Sequence, residues 1–154
     1  RRHIVYVAAQ LDPRTLERGE GYADAMAEAG LEDGVRKVLS PEPSSMALGG
    51  RLLAEVLRDA PDTDAIFFCN DDLAQGALLA ALRLGVAVPG RVAVAGFNDL
   101  PGSDQMVPPL TTVATPRREI GEQAAQMLMK LMRGQPVEQP HLDLGFQVLR
   151  RQSS

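Results

Sequence analysis

Short, continuous apolar runs alternate along this chain with longer stretches in which apolar residues recur at helical spacing. The runs occupy residues 4–8, 65–69 and 92–97 and are rich in Val, Ile and Phe, while residues 35–39, interrupted by Arg36 and Lys37, read as a further short strand. Runs that are apolar at nearly every position, and not at every second one, suit parallel strands covered on both faces. Between residues 4–8 and 35–39, residues 14–29 bring Leu16, Tyr22, Ala23, Met26 and Ala27 near one helical face, and Gly30 stops the pattern. Asp12-Pro13 is its start signal, a capping acid followed by proline at the first helical position. A second helix starts at Ser44 or Ser45 and runs to about residue 59. A third begins near Leu73, capped by Asp71 or Asp72, and ends at Gly85. The order β-α-β-α-β-α-β predicts an α/β fold built on a doubly wound, mostly parallel sheet. Strands 65–69 and 92–97 should then be parallel, with Ile66, Phe67, Phe68, Val92, Val94 and Ala95 nearly all buried.

The alternation breaks after residue 100. Residues 101–110 read as a loop containing Pro108-Pro109, residues 110–114 as a short extended segment, and Pro116 opens a long helix ending before Gly134. Its stripe of Ile120, Ala124, Met127, Leu128 and Leu131 suits packing on the core or on a partner, not a cofactor. Residues 142–149 alternate weakly and read as a late strand.

Composition narrows the classes. The 154 residues, 45% of them hydrophobic, have room for one domain with a real core. A net charge of -4 argues against this chain gripping a phosphate backbone. The absence of Trp leaves no obvious stacking platform, and no apolar run is long enough for a membrane helix. The single cysteine, Cys69, forms no internal disulfide and suits a small core residue in a reducing compartment. The chain enters its first strand straight after Arg1-Arg2-His3, without Met or signal peptide, and is expected to be a piece of something longer.

The candidate chemistry sits at two strand ends. Asn70-Asp71-Asp72 follows one apolar run and Asn98-Asp99 the next, and carboxyl ends of neighbouring parallel strands are where open α/β sheets keep their ligand crevices. Helix capping and ligand contact both remain open for these residues. Arg14 and Arg18 lie four apart near the start of the first helix, where two cations oppose the macrodipole. Arg14 reads as solvated, balanced by Glu17 and Glu20, whereas Arg18 is a reasonable anion clamp at the crevice end. Gly49-Gly50 weakens the second helix but lacks the spaced glycines of a phosphate loop. Nothing here reads as an enzyme, a metal site or a cofactor site. There is no GxSxG elbow, Cys69 has no evident base, His3 and His141 are isolated, and the acidic run lacks the alternating spacing of a cation loop.

The run CNDDLAQGALLAALRLGVAVPGRVAVAGFND, followed by PPLTTVATPRREIGEQAAQMLMKLMRG, closely resembles the lactose/galactose-repressor (LacI/GalR) family of bacterial transcription regulators. The resemblance covers essentially the whole chain, including Arg18 just before Gly19-Glu20-Gly21-Tyr22. The segments LDPRTLERGEGY, ATPRREIG and LDLGF look most like the gluconate-utilisation repressor branch. The resemblance implies an effector domain of the periplasmic-binding-protein-like type (type I). Residues 1–115 would be its C-terminal lobe, 116–136 a helix crossing to the N-terminal lobe, and 137–154 a terminal strand and tail. The helix-turn-helix headpiece and hinge would lie outside this chain.

By position the resemblance implies Arg18, Asn70 and Asn98 as effector contacts. It implies Asp71 and Asp99 as neighbouring acids of the same ligand-binding set, with capping and scaffolding roles. It further implies a cytoplasmic homodimer that binds operator DNA through the headpiece and responds to a sugar or sugar acid. Asn98 stands where sugar-binding members commonly have Asp. An amide donates and accepts whereas a carboxylate only accepts, so Asn98 beside Arg18 fits a sugar acid such as gluconate better than a neutral sugar. The expectation is an allosteric binding module working between two states. A periplasmic sugar-binding receptor of the same fold is the alternative.

Overall fold

The computed structural model describes residues 1–154. Six strands make one sheet in the order β2-β1-β3-β4-β5-β6: β1 (Ile4–Ala9), β2 (Arg36–Ser40), β3 (Ala65–Phe68), β4 (Ala93–Phe97), β5 (Thr111–Ala114) and β6 (Gln147–Leu149). The first five strands run parallel, and β6 adds an antiparallel edge. The expected parallel pairing of β3 with β4 holds, with Ile66 opposite Val94 and Phe67 opposite Ala95. Four helices join them: α1 (Pro13–Glu28), α2 (Met46–Asp59), α3 (Asp71–Leu84) and α4 (Arg117–Met132).

Helix α1 covers one face of the sheet. The Tyr6 ring of β1 stacks on Tyr22 with centroids 5.8 Å apart. Gly19 allows this approach, because a Cβ there would lie 2.9 Å from the Tyr6 ring. The face of α1 turned to the sheet is Thr15, Gly19, Tyr22 and Met26, at helical spacing. Leu16, expected on that face, is instead 42% exposed. Helices α2 and α3 cover the other face, where Gly96 of β4 lies against Ala74 of α3. Side chains alternate along a strand, so Ile66, Phe68 and Val94 face the α2–α3 pair and are buried, as is Val92. Phe67 and Ala95 face the thinner α1 layer, where a single helix leaves them only partly covered. Of the six expected to be nearly all buried, these two are therefore the exceptions.

The α2–α3 pair is held at short range by two glycines. A Cβ on Gly49 would stand 2.0 Å from the Leu73 carbonyl oxygen, and one on Gly76 would stand 1.9 Å from that of Met46. Gly49 is thus a contact surface, whatever it subtracts from intrinsic helicity. Helix α4 buries no residue against the rest of the chain. Ile120, Leu128 and Leu131 of its apolar stripe are 46%, 58% and 60% exposed, so the stripe does not pack on this chain's core. The late strand is shorter than its alternation suggested. Gly145 takes a left-handed φ of 69° and donates its amide to the Asp143 carboxylate at 2.8 Å, a local turn that delays pairing until Gln147. The C-terminal tail is pinned between β4 and β5. Ser153 Oγ donates to the Val94 carbonyl at 2.6 Å and accepts from the Thr111 amide at 2.8 Å.

Candidate functional site

In the order β2-β1-β3 the chain leaves β1 first to one side and then returns on the other. The two crossovers diverge there, opening a crevice outside the carboxyl ends of β1 and β3. Cys69 closes β3 onto β1, its amide donating to the Val7 carbonyl at 2.9 Å. It is wholly buried, and that burial pushes its thiol pKa up.

Arg18 reaches this crevice from α1. Asp12 caps that helix by accepting from the Thr15 amide at 2.9 Å, and Pro13 follows as the first helical residue. Arg18 Nη1 donates to the Cys69 carbonyl at 3.2 Å, and its guanidinium lies 4.0 Å from the centre of the Phe97 ring at the end of β4. Cation–π contact fixes the plane of the group and leaves its remaining donors unassigned. No carboxylate forms an ion pair with it. Arg14, by contrast, points to solvent near Asp12, and Glu20 pairs with Lys37 at 2.8 Å.

The two strand-end motifs divide their work differently from the expected pattern. Asn70, not Asp71 or Asp72, caps α3: its Oδ1 accepts from the Leu73 amide at 3.1 Å. Ser44, just before α2, lies 3.0 Å from that Oδ1 and 2.8 Å from Nδ2, tying the starts of α2 and α3 together. Asp71 is one residue too far into the helix to cap it and is wholly buried. Its carboxylate accepts from Thr112 Oγ1 at 2.7 Å, from the Leu100 amide at 2.7 Å and from Ser103 Oγ at 2.8 Å. It has no surface on which a ligand could land, so its place in the expected ligand-contact set is corrected to an interior one.

Asn98 and Asp99 form the turn after β4, with φ of 108° and 49°. Both angles are uncommon for residues other than glycine. The Asn98 amide donates to the Val113 carbonyl at 2.8 Å. The bonds that hold this turn leave the Asn98 side chain unused. Asp99 Oδ1 accepts from Arg151 Nη2 at 2.8 Å, and its carbonyl accepts from Arg117 Nη2 at 3.2 Å. Ser44, which the sequence offered only as a helix start, and Phe97, Thr112 and Arg151 thus belong to the site region without having been read as site residues. The position of Phe97 beside Asn98 at a strand end was the only local signal, since the others lie far off in the chain.

Arg18, Asn70 and Asn98 are each only partly buried in this chain. A cavity of about 310 Å³ lies elsewhere, at the amino end of the sheet between Arg36, Val38, Val56 and Asp62, and it contains none of the groups just described. No three His, Cys, Asp or Glu side chains are grouped to hold a metal ion, and no helix is long and apolar enough to cross a membrane.

Comparison with known proteins gives this geometry a context. The family model of the periplasmic binding protein-like domain matches residues 1–154. The HTH-type transcriptional regulator GntR of Pseudomonas aeruginosa is 53% identical over all of this chain and 45% of its own length. The regulator IdnR of Escherichia coli is 39% identical over 96% of this chain and 44% of its own. Among solved structures, the transcription regulator GntR from Chromobacterium violaceum superposes with a TM-score of 0.95 at 48% identity. That match covers 99% of this chain and 56% of the other. The chain therefore spans under half the length of these curated relatives. Each of these relatives is named as a transcription regulator. The chain belongs to the periplasmic binding protein-like domain family, in the form that LacI-type transcription regulators carry.

Proposed function

We propose that this chain forms one wall of the effector cleft of a LacI-type transcription regulator, whose effector is a small polyhydroxy acid, gluconate or a close relative. The observation that carries the reading is the Arg18 guanidinium, half-buried at the ends of β3 and β4 with no carboxylate partner. A partly desolvated cation without a counter-ion is unfavourable alone and is satisfied by an anionic ligand, best in bidentate geometry. The acids nearest in sequence to the two amides are otherwise engaged, Asp71 inside the protein and Asp99 with Arg151. The Asn98 amide offers a donor and an acceptor to ligand hydroxyls. Asn70, whose oxygen caps α3, offers one remaining amide hydrogen beside the Ser44 hydroxyl.

The rest of the protein supplies the second wall. Residues 1–115 act as the C-terminal lobe, 116–136 cross to the N-terminal lobe, which covers the exposed stripe of α4, and 137–154 return as strand and tail. An effector that bridges the lobes and binds one of their two arrangements more tightly shifts the equilibrium towards it, and with it the affinity for operator DNA. The DNA contacts lie in a helix-turn-helix headpiece outside this chain, in keeping with the net charge of -4 here. The protein works in the cytoplasm as a homodimer.

Calorimetry on the full-length protein with gluconate and glucose tests the reading. Loss of one partner of a desolvated charge pair costs about 2–5 kcal/mol, so Arg18→Ala should weaken gluconate roughly thirty-fold or more. Asn98→Asp should harm gluconate more than glucose, because it adds a second negative charge beside the ligand carboxylate. Equal gluconate affinity in wild type and Arg18→Ala, or a preference for glucose, refutes it.

A further inference from the structure

Asp71 is the one carboxylate of the two strand-end motifs that reaches neither solvent nor a cation. It nevertheless gathers three donors from three places: the turn after β4, the short helical turn beyond it, and β5. These are not independent. The Thr112 hydroxyl that donates to Asp71 Oδ1 also lies 3.4 Å from the Asp99 amide. The Ser103 hydroxyl that donates to Oδ2 accepts from Gln75 Nε2 at 3.0 Å. Following the chain, the amide of Asn98 goes to Val113, that of Asp99 faces Thr112, and that of Leu100 goes to Asp71. Glycine at position 96 makes room, since a Cβ there would stand 2.2 Å from Asp71 Oδ1.

This network surrounds the only two consecutive non-glycine residues of the crevice rim that share a left-handed φ and belong to a candidate ligand motif, Asn98 and Asp99. Such backbone costs on the order of 1–3 kcal/mol per residue and persists only when its surroundings over-determine it. The buried carboxylate is the surrounding group that holds the far side of the turn.

We propose that Asp71 is a positioning residue of the effector site: it touches no ligand, and its carboxylate holds the Asn98–Asp99 turn so that the Asn98 amide faces the crevice. The inference rests on the effector reading above and goes beyond it in assigning the selectivity of Asn98 to a group behind the turn. Thr112 is the relay between the carboxylate and the turn.

The test uses the full-length protein, gluconate as probe, and the variants Asp71→Asn, Asn98→Ala, their double, Thr112→Ser and Thr112→Val. Asp71→Asn keeps the volume but points an amide at three donors. It should weaken gluconate tenfold or more, and the loss should nearly vanish when Asn98 is already Ala, because the two act through one contact. A merely structural role lowers the unfolding midpoint without this non-additivity. Thr112→Ser, which keeps the hydroxyl, should stay within twofold of wild type, whereas Thr112→Val should weaken gluconate severalfold. This pair decides the matter if Asp71→Asn does not fold. Additive losses, unchanged affinity in Asp71→Asn, or equal behaviour of the two Thr112 variants overturns the inference. Crystals of Asp71→Asn or Thr112→Val keep the two readings apart. If wild type binds no gluconate the effector reading falls. The positioning role then stands if Asn98 and Asp99 leave their left-handed angles in the variant, and falls if they keep them.

Discussion

Replacing Gly76 by alanine inserts one methyl group where α2 and α3 cross, and its consequence can be worked from the geometry. The new Cβ would start 1.9 Å from the Met46 carbonyl oxygen, a distance at which something must move. The obstacle is backbone and not the end of a flexible side chain, so relief requires the two helices to part by about an ångström in a close-packed interior. That movement loosens Leu48, Leu52, Leu73 and Leu78, all buried between these helices and the sheet. Overpacking of this kind costs about 1–3 kcal/mol. The better helix propensity of alanine offsets roughly 1 kcal/mol of it. The net loss should be about 0–2 kcal/mol, a fall of up to roughly 8 °C in the unfolding midpoint. Gly21 in α1 is the control, since it is exposed and a Cβ there meets nothing within 4 Å. Gly21→Ala should gain roughly 0.5–1 kcal/mol from the backbone alone. Thermal unfolding followed by circular dichroism reads both in the full-length protein. A Gly76→Ala variant as stable as Gly21→Ala would refute the close crossing. The crossing also serves the site, because α2 and α3 bring Ser44 and Asn70 together at their first turns.

Two further outcomes follow from exposure. Leu79 and Leu82 of α3 are 41% and 56% exposed, and in the proposed homodimer this flank carries part of an interface on the order of 2,000 Å². Leu82→Glu should shift sedimentation equilibrium towards monomer, and an unchanged association constant would count against α3 as the contact. Cys69 is wholly buried with its thiol pKa raised by desolvation, and the thiolate is the reactive form. Alkylation by iodoacetamide at pH 8 should therefore be at least a hundredfold slower in the native protein than in urea. Comparable rates would show that the end of β3 opens readily.

The part of the site that is legible in the residues is the local part. Arg18 can be placed near the start of a helix at the crevice end from the sequence, and Asn98 at a strand end. That the guanidinium rests on Phe97 and lacks a carboxylate partner depends on residues 79 positions apart being brought together by two crossovers. The acids beside the two amides are indistinguishable as letters. One is enclosed by Thr112, Ser103 and Leu100, the other pairs with Arg151 across 52 residues.

What the sequence determined by itself is what short-range physics decides. The strands β1, β3 and β4 follow from runs of apolar, β-favouring residues. The start of α1 follows from Asp12-Pro13, and its end and that of α3 from Gly30 and Gly85, both with φ near 67°. Parallel order follows because helices must fill the crossovers. Only the tertiary structure decided which face of each element is covered and which polar group is spent internally. Leu16 is exposed because α1 turns Thr15, Gly19, Tyr22 and Met26 to the sheet, a face that does not include it. Phe67 is half-covered because one helix serves its side of the sheet. Asn70 caps α3 while Asp71 turns inward, because Thr112 and Ser103 arrive from later in the chain to meet it. Burial and hydrogen-bond satisfaction belong to pairs of surfaces, and a pair is specified only when both partners have been brought into place.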